Sequence, residues 1–142
     1  MTDLRAIERN ESAFGDFRAA LEVADLPTLD LDEGDATYFT DEAGSFGGLV
    51  RFGDIALLRS IVVPRAKQGH GLGTDMLAGL IGAARKSGAR EVWLLTTTAE
   101  GFFAANGFER VARTDAPAAI AATSQFKDIC PDTAALMRLA LT

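Results

Sequence analysis

Residues 68–74 read Gln-Gly-His-Gly-Leu-Gly-Thr (QGHGLGT), and glycine recurs there at alternate positions, Gly69, Gly71 and Gly73. Without Cβ atoms, such a stretch lets a ligand approach the backbone and permits positive φ angles. A helical pattern follows at once: Leu72, Met76, Leu77, Leu80, Ile81 and Ala84 form one stripe, Arg85 and Lys86 fall in the last turn, and Gly88 comes after. The unpaired amides of a first helical turn, added to the helix dipole, make an anion site, so a phosphorylated ligand is the leading reading. A glycine turn that merely caps the helix is the plainer one. Two familiar phosphate loops do not fit. The Walker pattern needs a terminal Gly-Lys-Ser/Thr, and the dinucleotide fingerprint needs a third glycine where this chain has Thr74 or Met76. The acidic residue that the latter expects is also missing from its proper context, because Glu91 follows a basic helix end.

Working outward, IALLRSIVV at 55–63 reads as a strand leading into the loop. Before it, ATYFT at 36–40 and FGGLVRF at 46–52, with the turns DEAGS and GD, complete a three-stranded antiparallel meander. Leu4–Glu8 alternates as a half-buried strand does, and Glu11–Val23 carries Phe14, Phe17, Ala20 and Leu21 at helical spacing, with Asn10 as its N-cap. Downstream, VWLL at 92–95 is apolar throughout, as a strand covered on both faces would be. A short helix with Phe102 and Phe103, capped by Thr98 or a neighbour and ended by Gly107, comes next. A strand near Glu109–Arg113, a short alanine-rich helix at 116–122 and a last strand within Ala134–Leu141 close the pattern. The fold class is α+β: a mixed, mostly antiparallel sheet flanked by helices, with a strand-loop-helix unit at its centre.

The chain has 142 residues and 48% hydrophobic content, as one globular domain over 1–142 would. A net charge of −6 argues against a nucleic-acid or anionic-membrane partner, since phosphate backbones demand clustered Lys and Arg. No apolar run reaches the length of a signal peptide or membrane span, so a soluble, cytoplasmic protein is expected. With Cys130 the only cysteine and His70 the only histidine, neither an internal disulfide nor a metal site is expected.

Gln68-x-x-Gly71-x-Gly73 resembles the Gln/Arg-x-x-Gly-x-Gly/Ala signature of the GCN5-related N-acetyltransferase (GNAT) superfamily, and LLRSIVV before it and TTTAEGFFAANGF after VWLL stand where that fold has its motifs. The resemblance implies acetyl-CoA as co-substrate, with no metal, and a primary amine of a small molecule as acceptor. A homodimer is compatible with it. It also implies that backbone groups of Ile61, Val62 and Val63 bond the pantetheine arm and that Gln68, Gly69, His70, Gly71, Leu72, Gly73 and Thr74 hold the pyrophosphate. Ile61 and Val63 serve equally as core residues, and His70 as a solvated loop residue. Asp75, just inside the helix, would oppose a pyrophosphate and is expected to point away. The segment DAPAAIAATSQFKDICP with AALMR and LRS is similar, more loosely, to the arsenic-resistance-associated N-acetyltransferase subgroup.

Where the superfamily usually presents a tyrosine that protonates the leaving thiolate, this chain has Phe103, and where it often has Asn upstream the chain has Thr96. A general acid contributes about 10²- to 10⁴-fold, but a thiol with a pKa near ~8.5 leaves tolerably without one. A hydroxyl of Ser60, Thr97, Thr98 or Ser124, or a water, is the candidate replacement, and Phe103 packs against the pantetheine or the core. Arg59 interrupts an apolar strand. It either makes a surface salt bridge or faces the cleft and binds a carboxylate or phosphinate of an amino-acid-like acceptor, such as an amine-bearing toxin. Tyr38, the only tyrosine, lines the acceptor side or packs across strands. Cys130 lacks a partner base in the sequence and reads as an inert thiol. The alternatives to a small-molecule enzyme are a catalytically weak acyl-CoA-binding module and a protein N-acetyltransferase.

Overall fold

A computed structural model describes residues 4–8, 11–23, 36–41, 44–62, 72–96, 99–122 and 134–141. The strands are β1 (Arg5–Ile7), β2 (Ala36–Thr40), β3 (Phe46–Phe52), β4 (Ile55–Val62), β5 (Glu91–Thr96), β6 (Glu109–Val111) and β7 (Ala135–Ala140). The helices are α1 (Ser12–Val23), α2 (Leu72–Lys86), α3 (Glu100–Ala105) and α4 (Ala118–Ala121), with a 3-10 turn at Arg113–Asp115. All seven strands form one sheet in the order β1-β2-β3-β4-β5-β7-β6. Every pairing is antiparallel except β4 with β5. The meander is therefore as expected. The insertion of β7 between β5 and β6 has no local signal in the sequence.

Alternation sorts the side chains onto two faces. On one face Leu49, Ala56, Leu58, Val92 and Leu94 pack against Met76, Leu77, Leu80 and Ala84 of α2 and against Phe103. On the other, Tyr38, Phe46 and Val62 meet Phe14, Phe17 and Leu21 of α1, while Val50, Leu57, Trp93 and Leu136 meet Ile120 of α4. Val92, Trp93 and Leu94 are all buried, which explains why VWLL shows no alternation. Gly88 (φ 99°) and Gly107 (φ 96°) follow α2 and α3 in the left-handed region, the conformation that favours glycine after a helix.

Two helix starts were expected to be capped by Asn10 and by Thr98 or a neighbour. Asn10 lies outside the described residues. At the start of α1 the Glu11 carboxylate accepts the Glu8 amide at 2.8 Å and pairs with Arg5 at 3.0 Å. The N-cap of α3 is Ala99, the neighbour of Thr98, without a side-chain cap bond. Thr96 Oγ1 instead accepts the Ala99 amide at 3.0 Å, so the upstream threonine ties the end of β5 to the start of α3.

The Glu8 amide, and then Arg5, hold the Glu11 carboxyl below its ordinary value of 4.5. A folded-state pKa below the unfolded one stabilises the fold above the unfolded pKa, and that contribution disappears as the pH falls through the folded value. Glu11→Gln should therefore lower the unfolding midpoint slightly at neutral pH and not at pH ~2. Thermal melts of both proteins across that range check this.

Candidate active site

The sheet splits between β4 and β5. Their parallel pairing runs through Ile55↔Glu91, Ala56↔Val92 and Leu57↔Trp93 and stops there, although β4 continues to Val62 and β5 to Thr96. Among the described residues, the main-chain groups of Leu58–Val62 that point towards β5 have no strand to bond. β5 keeps its other neighbour throughout, as Leu94, Leu95 and Thr96 pair with Met137, Leu136 and Ala135 of β7. Beyond Leu57 the β4 edge that faced β5 is thus left, among the described residues, without a paired strand, and buried peptide groups require partners.

A bulge accentuates it. Between Phe46↔Val62 and Gly48↔Arg59 the register shifts, with two steps along β3 answering three along β4. The extra residue on β4 reverses its alternation. Ala56 and Leu58 point to the α2 face, yet so does Ile61, while Val62 joins the α1 cluster. Ile61, one of the residues expected to present its backbone to a ligand, lies within this irregularity, and Val62 borders it.

The helix α2 crosses the same region. Near its start Met76 lies over Gly47, where an added Cβ would come within 3.3 Å of Met76 Sδ and 2.6 Å of Leu80 Cδ1. At its far end Arg51 donates to the carbonyl of Ser87 and to that of Gly53. The helix therefore runs back along β3 and β4, and its first turn lies at the end of β4 beyond the split. Four unpaired amides and the positive dipole end belong to that turn. Thr74 and Asp75 are exposed there.

On the α1 face, Tyr38 pairs with Gly48 across β2 and β3, and Gly48 pairs with Arg59 across β3 and β4. A Cβ on Gly48 would lie 2.7 Å from Tyr38 Cε1 and 3.1 Å from Arg59 Cγ, so glycine is what lets the two side chains converge. Arg59 is 8% exposed and Tyr38 2%. The Arg59 side chain is therefore buried on this face and not spread over the surface. Gly48 was not singled out by sequence, though glycine inside a strand is itself the sign of a close approach.

Phe103 is 7% exposed and belongs to the core on the α2 face. Its ring stands edge-on to Phe102 at 5.1 Å and to Phe108 at 5.7 Å. The position that would carry the acid is filled by a packing residue. Val63, Gln68, Gly69, His70, Gly71, Thr97, Thr98, Ser124 and Cys130 lie outside the described residues. The side chains of Ser60, Leu72 and Gly73 are likewise not described. Among the described residues no group of three or more His, Cys, Asp or Glu is arranged to hold a metal, and no helix is long and apolar enough to cross a membrane.

A mixed sheet split after a short parallel pairing, with a helix beginning over the split, defines an acyltransferase of the GNAT type. The sequence profile of the acetyltransferase (GNAT) family matches residues 9–110, and the chain belongs to that family. No curated protein matches it in sequence. The fold is similar to that of a Klebsiella pneumoniae protein provisionally described as an acyl-CoA N-acyltransferase, at TM-score 0.77 and 18% identity over 100% of this chain and 99% of that one. It is similar to N-acetylglutamate synthase of Neisseria gonorrhoeae, crystallised with coenzyme A and N-acetyl-glutamate, at TM-score 0.77 and 17% identity. All of this chain is covered there but only 36% of the synthase. A Bacillus subtilis acetyltransferase in complex with CoA aligns over the whole of both chains at TM-score 0.67 and 16% identity.

Proposed function

We propose that the protein is a single-domain, cytoplasmic N-acetyltransferase that moves the acetyl group of acetyl-CoA to a primary amine of a small molecule. The observation that carries this reading is the edge of β4 beside the α2 N-terminus that, among the described residues, no strand pairs with beyond Leu57. An extended pantetheine arm can bond that edge as a strand would, which places its pyrophosphate at the first turn of α2 and the glycines before it. CoA in the crystals of the Bacillus subtilis protein and the Neisseria synthase supports the same ligand. Residues 115–131 and the LRS of β4 favour the arsenic-resistance-associated subgroup within the family.

In the reaction, a neutral amine attacks the thioester carbonyl, a β4 amide stabilises the oxyanion, and the C–S bond breaks to release the thiolate. The proton lost by the new amide reaches the thiolate through Ser60, Thr97, Thr98, Ser124 or water, since Phe103 has no hydroxyl.

Calorimetric titration with acetyl-CoA, followed by thiol release over a panel of primary amines, tests the proposal. Binding and amine-dependent release are expected. Binding without release for any amine would mark an acyl-CoA-binding module, and no binding would overturn the reading.

A further inference from the structure

We infer that the donor's acyl group ends against the last β4/β5 pair, and that Leu94, with Leu58 and Phe103, holds the enzyme to short acyl chains. The inference rests on the acetyltransferase reading and deepens it by naming what sets the acyl length.

The chemistry of coenzyme A fixes how far along β4 the acyl group comes. About twelve bonds separate the pyrophosphate from the sulfur, which is the length of about four extended residues, or roughly 14 Å. β4 runs from Ile55 to Val62, and the first turn of α2 stands at its Val62 end. An arm that starts there and follows the β4 edge left without a described strand brings its sulfur beside Leu58. The acyl carbon is the next atom. Directly ahead of it Leu57 and Trp93 are paired, and a strand ladder cannot give way to a methylene without leaving buried peptide groups unbonded. The ladder is the end wall.

Side chains close the space on both faces. On the α2 face Leu58 and Leu94, the first residues past the last pair, are 1% and 2% exposed and share a cluster with Phe103 and Ala135. Phe103 is braced edge-on by Phe102 and Phe108. On the opposite face Leu57 and Trp93 are buried against Ile120. An interior packed in this way resists an added methylene. Among these side chains Leu94 is the one that can be shortened without disturbing the reaction. Leu58 lies on the strand whose amides face the thioester, whereas Leu94 lies on β5, which stays paired with β7 through Leu94↔Met137. Leu94→Ala removes an isopropyl group, larger than the ethyl group by which butyryl exceeds acetyl.

The probes are acetyl-, propionyl-, butyryl- and hexanoyl-CoA, each with the primary amine that gives the fastest thiol release from acetyl-CoA. Each added carbon should lower kcat/KM by about tenfold or more, so that butyryl-CoA falls about 100-fold below acetyl-CoA. Leu94→Ala should bring butyryl-CoA within about tenfold of acetyl-CoA and leave the Kd of free CoA unchanged. Leu80→Ala is the control. Leu80 is similarly buried in the same cluster but lies over Gly47 of β3, so its truncation should lower Tm as Leu94→Ala does and keep the wild-type chain-length profile. If Leu94→Ala does not fold, Leu94→Val carries the test, with propionyl-CoA gaining on acetyl-CoA. Use of hexanoyl-CoA equal to or better than that of acetyl-CoA, or a Leu94 variant whose profile matches that of Leu80→Ala, would overturn the inference and leave the acetyltransferase reading standing. No binding of acetyl-CoA, or binding with no release from any member of the series, would overturn that reading itself.

Discussion

Replacing Gly71 and Gly73 together by aspartate should abolish acetyl-CoA binding while leaving the protein folded. α2 begins at Leu72, so one glycine immediately precedes the helix and the other lies in its first turn. A carboxylate about 5 Å from a phosphate at an effective dielectric of ~20 is repelled by roughly 3 kcal/mol, or about 100-fold in affinity. Two of them remove binding at any practical concentration. The same aspartates suit the helix, because a negative charge at its N-terminus is favourable, and Asp75 already occupies that turn. Circular dichroism should show the native spectrum and calorimetry no heat of binding. Unchanged binding would mean that the first turn of α2 does not hold the pyrophosphate.

The second large effect is on stability. Phe17 is fully buried, with its ring 5.7 Å from Phe14, 5.0 Å from Tyr38 and 5.1 Å from Phe46. Phe17→Ala leaves a cavity at the junction of α1 with β2 and β3, and a buried phenylalanine truncated to alanine costs about 3–5 kcal/mol. For a chain of this length that is a fall of roughly 10 °C in Tm, measurable by thermal or urea unfolding. A shift of less than about 1 kcal/mol would mean that the aromatic cluster relaxes to fill the space.

Much of the local structure is legible because it is written in short-range chemistry. The stripe Met76, Leu77, Leu80 and Ala84 repeats at the period of a helix and buries one face. ATYFT and FGGLVRF are bounded by turn residues, and both strands fall where that pattern puts them. The glycines of QGHGLGT are visible too, because a backbone-binding site is made by residue type and not by remote contact. Other features are invisible for the same reason. The 3-10 turn at Arg113–Asp115 cuts β6 short at Val111, although the residues to Arg113 read as strand. That the Phe103 ring packs edge-on to Phe102 and Phe108 is likewise announced by no spacing in the sequence.

By itself, then, the sequence determined the order of elements, the faces of α1 and α2, and the loop whose glycines stand before a helix, since periodicity, turn residues and missing Cβ atoms act within a few positions. Only the tertiary structure decided that β4 parts from β5 after Leu57, that the bulge at Ser60 and Ile61 reverses the strand, and that Tyr38 and Arg59 converge over Gly48. Those three depend on register between strands far apart in the chain, and register is set by how whole faces pack together.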